Sequence, residues 1–430
     1  MIHYITSSGV GQPWVANELS VLAKAGIPFR LHAMRKPEEV HFDSPWAHKM
    51  QANTNVLYPL RGLSMIVSVA LGSVKFGRRF VAALGNAMLG KRENLRARVA
   101  CLAHFFVACF WAYQMRRQRV SHIHAQWAYS SASIGMYGAW LLDKPFSFTG
   151  HGADVWRDRV ALEDKIRRAD FIICISQFHR DLYLKHGARP EQLHIVYCGI
   201  DVEQFAPPSV ARDRSDGVFR IRSSGRLVEK KGFPYLIDAC RLLVDRGVDV
   251  ECVIAGSGPL EDELRQHIER VGLADRVTLT GKAIMQEDIA AFVHSGDVYC
   301  LPCVWASDDD ADGLPQMLME AMASGAPVIS TRLVGIPDLV IHEQTGLLVE
   351  PEDVTALADT LDRLRTDRAL GERLAREGRR YVQEKFEIVS ALQPLIELYN
   401  EKLAAARPGT DAESNKAPEA PQHQPAGTAS

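Results

Sequence analysis

No apolar run in this chain reaches the length of a membrane-spanning helix. The most hydrophobic stretch, Val99 to Tyr113, falls short of the roughly 20 residues a span requires and contains His104. Also missing is a basic leader followed by an apolar core: the first residues, MIHYITSSGVGQPW, do not read as a secretory signal, so a cytoplasmic protein is expected. Cysteine is sparse and unpatterned. The eight cysteines mostly sit inside apolar runs, and Cys300 and Cys303 form a lone CxxC without a second pair or a nearby histidine cluster, so buried thiols in a reducing compartment are expected. Neither sign of charge dominates, and a formal net charge of -2 excludes a globally basic nucleic-acid binder.

What is present is length, apolar content and a regular rhythm. With 430 residues and 47% hydrophobic content, two sizeable cores can be buried, so two domains are expected. Strand patterns alternate with helical ones, the signature of parallel sheets wrapped by helices in an α/β fold. Strands are expected at Ile2 to Thr6, Phe29 to Ala33, His122 to His124, Ser147 to Thr149 and Phe171 to Ile175. A second set is expected at Phe219 to Ser223, Val250 to Ala255, Val277 to Thr280, Val298 to Leu301 and Val328 to Ser330. The polar, proline-bearing segment Ala206 to Asp216 reads as the linker between domains 1–205 and 206–385. A helix follows over about 386–405, and the Pro-, Ala- and Ser-rich tail 406–430 has little to bury and is expected to be disordered. One segment breaks the charge balance: from Arg61 through Arg119, eleven Lys or Arg face a single acid, Glu93, interleaved with Phe, Trp, Leu and Val. Such a basic amphipathic region reads as a peripheral membrane contact.

Asp312 to Pro337, DGLPQMLMEAMASGAPVISTRLVGIP, concentrates the most chemistry. Pro315 suits a first helical turn, Met317, Leu318, Ala321 and Met322 give an apolar stripe, and Gly325 sits where a left-handed cap is wanted. Asp312 then lies in the loop before a helix and Glu320 within it, so unpaired backbone N–H groups and two carboxylates converge at one helix end. Phosphate oxygens and sugar hydroxyls want opposite partners, and both are offered. Upstream, the glycine turn of Ser224-Gly225-Arg226-Leu227-Val228-Glu229-Lys230-Lys231-Gly232 follows a strand and lets Arg226 and Lys231 point at one spot. Cations there would stabilise a departing diphosphate more in the transition state than in the ground state. No His-rich cluster, and no DxD motif of the kind that holds a catalytic metal beside a diphosphate, is found. The run Asp308, Asp309 and Asp310 reads as a solvated loop, and no metal or other cofactor is expected. Strand-to-glycine turns recur at Gly256 and Gly258, at Gly9 and Gly11, and around His151, which lies between Gly150 and Gly152 at the sheet edge where open α/β folds bind ligands. His124 ends a comparable strand and is a weaker candidate.

These motifs resemble glycosyltransferase family 4, retaining nucleotide-sugar transferases of the GT-B fold, in which two Rossmann-like domains face each other across a cleft. The family's E-x7-E becomes D-x7-E here, with Asp312 the shorter first carboxylate and Glu320 the second, followed by Gly335, Ile336, Pro337 and Asp338. The resemblance implies that Arg226 and Lys231 bind the diphosphate, that Glu320 holds ribose hydroxyls, and that Asp312 and His151 grip the sugar. It places Gly9, Gly11, Gly225, Gly256, Gly258, Gly313, Leu314 and Pro315 on the donor's binding surface, makes Asp154 structural, and has the helix Ile388 to Ala405 cross back to the first domain. The implied activity is transfer from a UDP- or GDP-sugar to a lipid-linked or oligosaccharide acceptor in exopolysaccharide synthesis, at the inner face of the plasma membrane. A non-catalytic nucleotide-binding scaffold of a polysaccharide assembly complex is the second reading.

Overall fold

Short apolar runs buried on both faces, joined by helical crossovers, give parallel sheets, and this chain builds two. In the computed structural model, which describes residues 1–36, 45–59, 62–207 and 216–406, the first sheet comprises β1 (Ile2–Thr6), β2 (Phe29–Ala33), β3 (Asn55–Val56), β4 (His122–Gln126), β5 (Phe146–Gly150), β6 (Phe171–Cys174) and β7 (Leu193–Ile195). Their order is β3-β2-β1-β4-β5-β6-β7. The second comprises β8 (Phe219–Ser224), β9 (Val250–Ala255), β10 (Val277–Leu279), β11 (Val298–Leu301), β12 (Val328–Thr331) and β13 (Leu347–Val349), ordered β10-β9-β8-β11-β12-β13. All neighbours pair parallel; Ile2 stands opposite both Phe29 and His122. Each sheet reverses its winding once, between β1 and β4 and between β8 and β11. Ligands of such sheets bind beyond the carboxyl ends of the strands at that reversal.

The second core gathers Ile221, Cys252, Ile254, Cys300, Leu318, Met322 and Ile329 between its sheet and helices. The C-terminal helix Ile388–Ala405 does not join it. Its Leu392, Leu395 and Tyr399 share a cluster with Val15, Leu19 and Leu22 of the helix Pro13–Lys24, against β1 and β6. The chain reaches that position through a crossing where Ile200 N–H donates to Phe386 O and Ile388 N–H to Ile200 O. Gly199 is required there, because a Cβ would lie 2.6 Å from Ile388 Cα.

The basic segment forms three helices, Gly62–Phe76, Arg78–Leu89 and Leu95–Met115. The last has the length and apolarity of a crossing helix. Its Phe105, Cys109 and Trp111 are nevertheless fully buried in the first core, so it is the hydrophobic centre of that domain. The other two expose Leu63, Ile66, Val74, Val81 and Leu89. The eight cysteines are free thiols. The expected linker falls outside the described residues except Ala206, Pro207 and Asp216; the expected disordered tail, apart from its first residue, Ala406, and Arg61 lie wholly outside them.

Candidate functional site in the cleft between the sheets

The carboxyl ends of both sheets face one another at very close range, and glycines make the approach possible. A Cβ on Gly313 would lie 2.1 Å from His151 O, and one on Gly335 would lie 2.4 Å from Gly313 O. Hydrogen bonds span the two halves: Trp156 Nε1–H donates to Asp309 O at 3.0 Å, and Gln177 N–H to Asp338 Oδ2 at 2.6 Å. Arg157 and Asp308 add an ion pair at 2.5 Å. Between the halves is a cavity of about 450 Å³, lined from the first by Trp14, Trp127, His151 and Cys198 and from the second by Lys230, Lys231 and residues 310–316.

On the second-domain wall, Lys231 Nζ lies 2.6 Å from Asp312 Oδ2, while Lys230 Nζ lies 3.3 Å from Asp312 Oδ1 and 3.0 Å from Asp310. Burial alone would raise the Asp312 carboxyl, but Lys231 and Lys230 hold it below its ordinary value. Burial would likewise lower Lys231, yet Asp312 keeps it above its own. The pair is therefore ionised at neutral pH. Asp312 stands in the loop as expected, but it is committed to two lysines. The helix runs Gln316–Ala323, so Pro315 is its cap, with extended backbone, rather than part of its first turn. Gly325, at φ +75°, closes it as read from the sequence. Glu320 lies within this helix, and its Oε2 is buried without a partner. Burial pushes its carboxyl up to about 7, against the pull of Lys231.

On the opposite wall His151 is neutral, because burial pushes it down to about 4. Its Nε2 lies 2.5 Å from Gln126 Oε1. Gln126 Nε2 faces both oxygens of Glu18, at 3.0 and 3.1 Å, and donates to Tyr4 OH at 2.6 Å. With its nitrogen turned to the Glu18 carboxyl and Tyr4, Gln126 presents its oxygen to His151, so Nε2 of the imidazole carries the proton and Nδ1 is the acceptor. Asp154 receives N–H groups from Ala128, His151 and Gly152 at 2.6 to 3.1 Å, and those contacts hold the turn that presents His151. The indole nitrogen of Trp14 is buried and unpartnered beside the same cavity.

The structure thus brings His151, Lys231, Asp312, Gly313, Leu314 and Pro315 to one cavity, with Glu320 next to Lys231. Other expected residues are not among those lining this cavity. Arg226 is exposed, with no ion pair among the described residues. Gly225, Gly256 and Gly258 are not among the residues lining the cavity, although a Cβ on Gly225 would lie 3.2 Å from Cε of Lys231, which does line it. A Cβ on Gly256 would lie 1.9 Å from Gly225 O and one on Gly258 2.5 Å from Leu227 O, so these glycines let two turns of this domain meet. Gly9, at φ +64°, closes a turn against Thr6 Oγ1, and Gly11 N–H bonds to Ser8 O. His124 is buried within β4, with its ring nitrogens 2.8 Å from Ser147 Oγ and 3.2 Å from Thr149 Oγ1, and does not reach the cleft. Of the run 308–310, Asp308 and Asp309 are exposed, as a solvated loop would be, while Asp308 also pairs with Arg157 and Asp310 with Lys230. Sequence reasoning passed over Lys230, Gln126 and Glu18. Gln126 ends β4 and Glu18 lies in the helix Pro13–Lys24, so only the packing of that helix on the sheet reveals them as partners.

Comparison with known proteins agrees with this geometry. Residues 83–204 match the model of Glycosyltransferase Family 4, and residues 211–381 that of Glycosyl transferases group 1. The chain is 36% identical over 220 residues to the amylovoran biosynthesis glycosyltransferase AmsK of Erwinia amylovora, and 37% identical over 217 residues to the colanic acid biosynthesis glycosyltransferase WcaL of Escherichia coli K12, the latter itself assigned only provisionally. These matches take in 50% and 49% of this chain, and it spans about half the length of these relatives, 53% in both cases. Among solved structures, Anabaena HepE in complex with UDP superposes with a TM-score of 0.68 at 17% identity, covering 93% of this chain and 99% of that one. Sucrose-phosphate synthase from Thermosynechococcus elongatus gives 0.68 at 20%, covering 94% and 100%. With both family models matched in order along one chain and the GT-B fold shared from end to end, the chain belongs to the glycosyltransferases, as a family 4 domain followed by a group 1 domain.

Proposed function

We propose that the chain is a retaining glycosyltransferase of exopolysaccharide synthesis, moving a sugar from a UDP- or GDP-sugar to a lipid-linked or oligosaccharide acceptor at a membrane surface. One observation carries this reading: a single cavity between the sheets is lined by the Lys231 ammonium and the unpartnered indole N–H of Trp14, with the unpartnered Glu320 carboxyl behind Lys231 in the adjoining helix. A nucleoside diphosphate sugar has anionic oxygens for the first and hydroxyls for the other two. HepE, whose structures hold UDP and UDP-glucose, supports a nucleotide-sugar donor, and AmsK and WcaL support the biosynthetic setting.

In this mechanism Lys231, held by Asp312, meets the β-phosphate as negative charge grows on it. Glu320 accepts from the ribose hydroxyls, and His151 Nδ1 accepts from a hydroxyl of the transferred sugar. Retention through a covalent intermediate requires a free carboxylate beside the anomeric carbon. The cavity's acids are Asp154, Asp310 and Asp312, and each is engaged by amides or lysines. A front-face substitution, in which the leaving phosphate takes the acceptor's proton, accommodates that. The exposed apolar side chains between Leu63 and Val99, among Lys75, Arg78, Arg79, Arg96 and Arg98, form the membrane-facing surface. Sedimentation with anionic but not with neutral vesicles tests that surface.

The decisive experiment assays a panel of UDP- and GDP-sugars for nucleotide release, with and without chelator, in wild type, Lys231→Ala and Arg226→Ala. Hydrolysis of one donor, unaffected by chelator and lost in Lys231→Ala, is expected. Tight nucleotide binding without turnover of any donor, even with acceptor lipid, would replace this reading with that of a scaffold.

A further inference from the structure

A second cavity, of about 390 Å³, opens in the first domain and shares Trp127 and Asp154 with the cleft. Its walls carry Arg96, Arg157 and Arg159. Arg157 is neutralised by Asp158 and Asp308. The other two meet no carboxylate: Arg96 has no ion pair or hydrogen bond among the described residues, and Arg159 touches only the ring of His186, at 3.1 Å. Asp154 turns its oxygens to three amides. Arg96 and Arg159 thus hold the cavity's cationic groups that no carboxylate pairs directly.

The backbone adds to it. Lys165, fully buried, draws in the carbonyl oxygens of Ala128, Tyr129 and Val160. In a planar trans peptide the N–H points opposite to the C=O, so the amides of Tyr129 and Ser130 turn away from Lys165. Neither has an acceptor among the described residues, and both residues line the cavity. Guanidinium groups with backbone amides are the chemistry that holds phosphate oxygens. Beside Arg96 on the same helix, Leu95 and Val99 are 75% and 63% exposed, continuing the apolar surface of the two preceding helices.

We propose that this cavity is an acceptor subsite for the phosphate or diphosphate of an amphiphile. Its hydrocarbon chain leaves over Leu95 and Val99, and its saccharide passes Trp127 into the cleft. The inference rests on the transferase reading for its purpose, but its binding test stands apart from turnover. Calorimetry on the full chain would compare a short prenyl diphosphate, the corresponding prenyl alcohol and inorganic pyrophosphate, in wild type and in the Arg96→Ala/Arg159→Ala double variant. The prenyl diphosphate is expected to bind best and to lose at least about tenfold in affinity in the variant, while thermal stability and donor hydrolysis stay unchanged. An unchanged affinity in the variant, or full displacement of the probe by nucleotide, would overturn the subsite. Pyrophosphate binding as tightly as the prenyl form would overturn the lipid assignment. Loss of prenyl diphosphate binding in a protein that turns over no donor would uphold the subsite and remove the transferase reading alone.

Discussion

At the scale of single residues, the cleft is organised by two buried carboxyls in opposite states. Asp312 is ionised because Lys231 and Lys230 face it, and burial pushes Glu320 up to about 7 against the pull of Lys231. Replacing Asp312 with Ala leaves Lys231 as a buried charge without its nearest partner. A loss of about 3 kcal/mol in denaturant unfolding is expected, together with loss of donor hydrolysis. Replacement with Glu, which restores reach, is expected to keep both. Glu320 makes a different prediction. An ionised carboxylate accepts ribose hydroxyls better than a protonated one, so nucleotide affinity is expected to rise as pH increases through about 7. In Glu320→Gln that rise should disappear and affinity fall by about tenfold, the scale of one charge-assisted hydrogen bond. Titration calorimetry across pH 6 to 8 reads both effects, and an identical pH profile in the variant would exclude Glu320 as a ribose ligand.

At the scale of elements, the strands inside each sheet were legible because apolar residues dominate them. β1, β2, β9 and β11 begin and end where the sequence pattern places them. The edge strands Asn55–Val56, Leu193–Ile195 and Leu347–Val349 escaped, since two or three residues carry little periodicity, whereas the equally short edge strand Val277–Leu279 fell within an expected one. The same division holds at the site. The helix carrying Glu320 announces itself through its stripe and its Gly325 cap. The role of a glycine is not visible from spacing alone: Gly256 and Gly258 let two turns meet, while Gly225 lies against the side chain of Lys231. Gly313 is the opposite case, a glycine whose reason lies in the other domain. A methyl group there meets His151 O at 2.1 Å, so Gly313→Ala is expected to force the Gly313–Pro315 loop away from His151. Overpacking of this kind costs about 1–3 kcal/mol. A lowered thermal midpoint together with a raised KM for the donor is expected, and unchanged values for both would show that the two loops need not touch.

At the scale of the whole molecule, an unusual load of neutral histidine sets the response to acid. His3 is pushed down to about 4 and His104, His122 and His179 to about 3, with burial the leading cause each time, and His151 also falls to about 4. His32 and His124 lie well below their ordinary value for the same reason. A group whose folded pKa is depressed contributes its full stability above the unfolded value, here 6.5, and loses it as pH falls toward the folded value. Glu18 and Glu320 act in the other direction. Their folded values, about 8 and about 7, exceed 4.5, so what they contribute is present at low pH and lost as pH rises through neutrality. Between pH 5 and 6.5 seven histidines oppose two carboxyls, and unfolding takes up protons on balance. Each net proton corresponds to about 1.4 kcal/mol per pH unit. Stability measured by chemical denaturation is therefore expected to climb steeply from pH 5 to 6.5 and to level off above pH 7, where Lys165, pushed down to about 7 by burial, takes up a proton on unfolding and offsets Glu18. The histidines lie in or against the first sheet, so the first domain should unfold first on acidification, with fluorescence of Trp111 and its neighbours reporting the loss. A flat profile between pH 5 and 6.5 would mean that these rings find partners or water when protonated, and that the row of histidines is a tolerated feature of the sheet rather than the origin of its acid sensitivity.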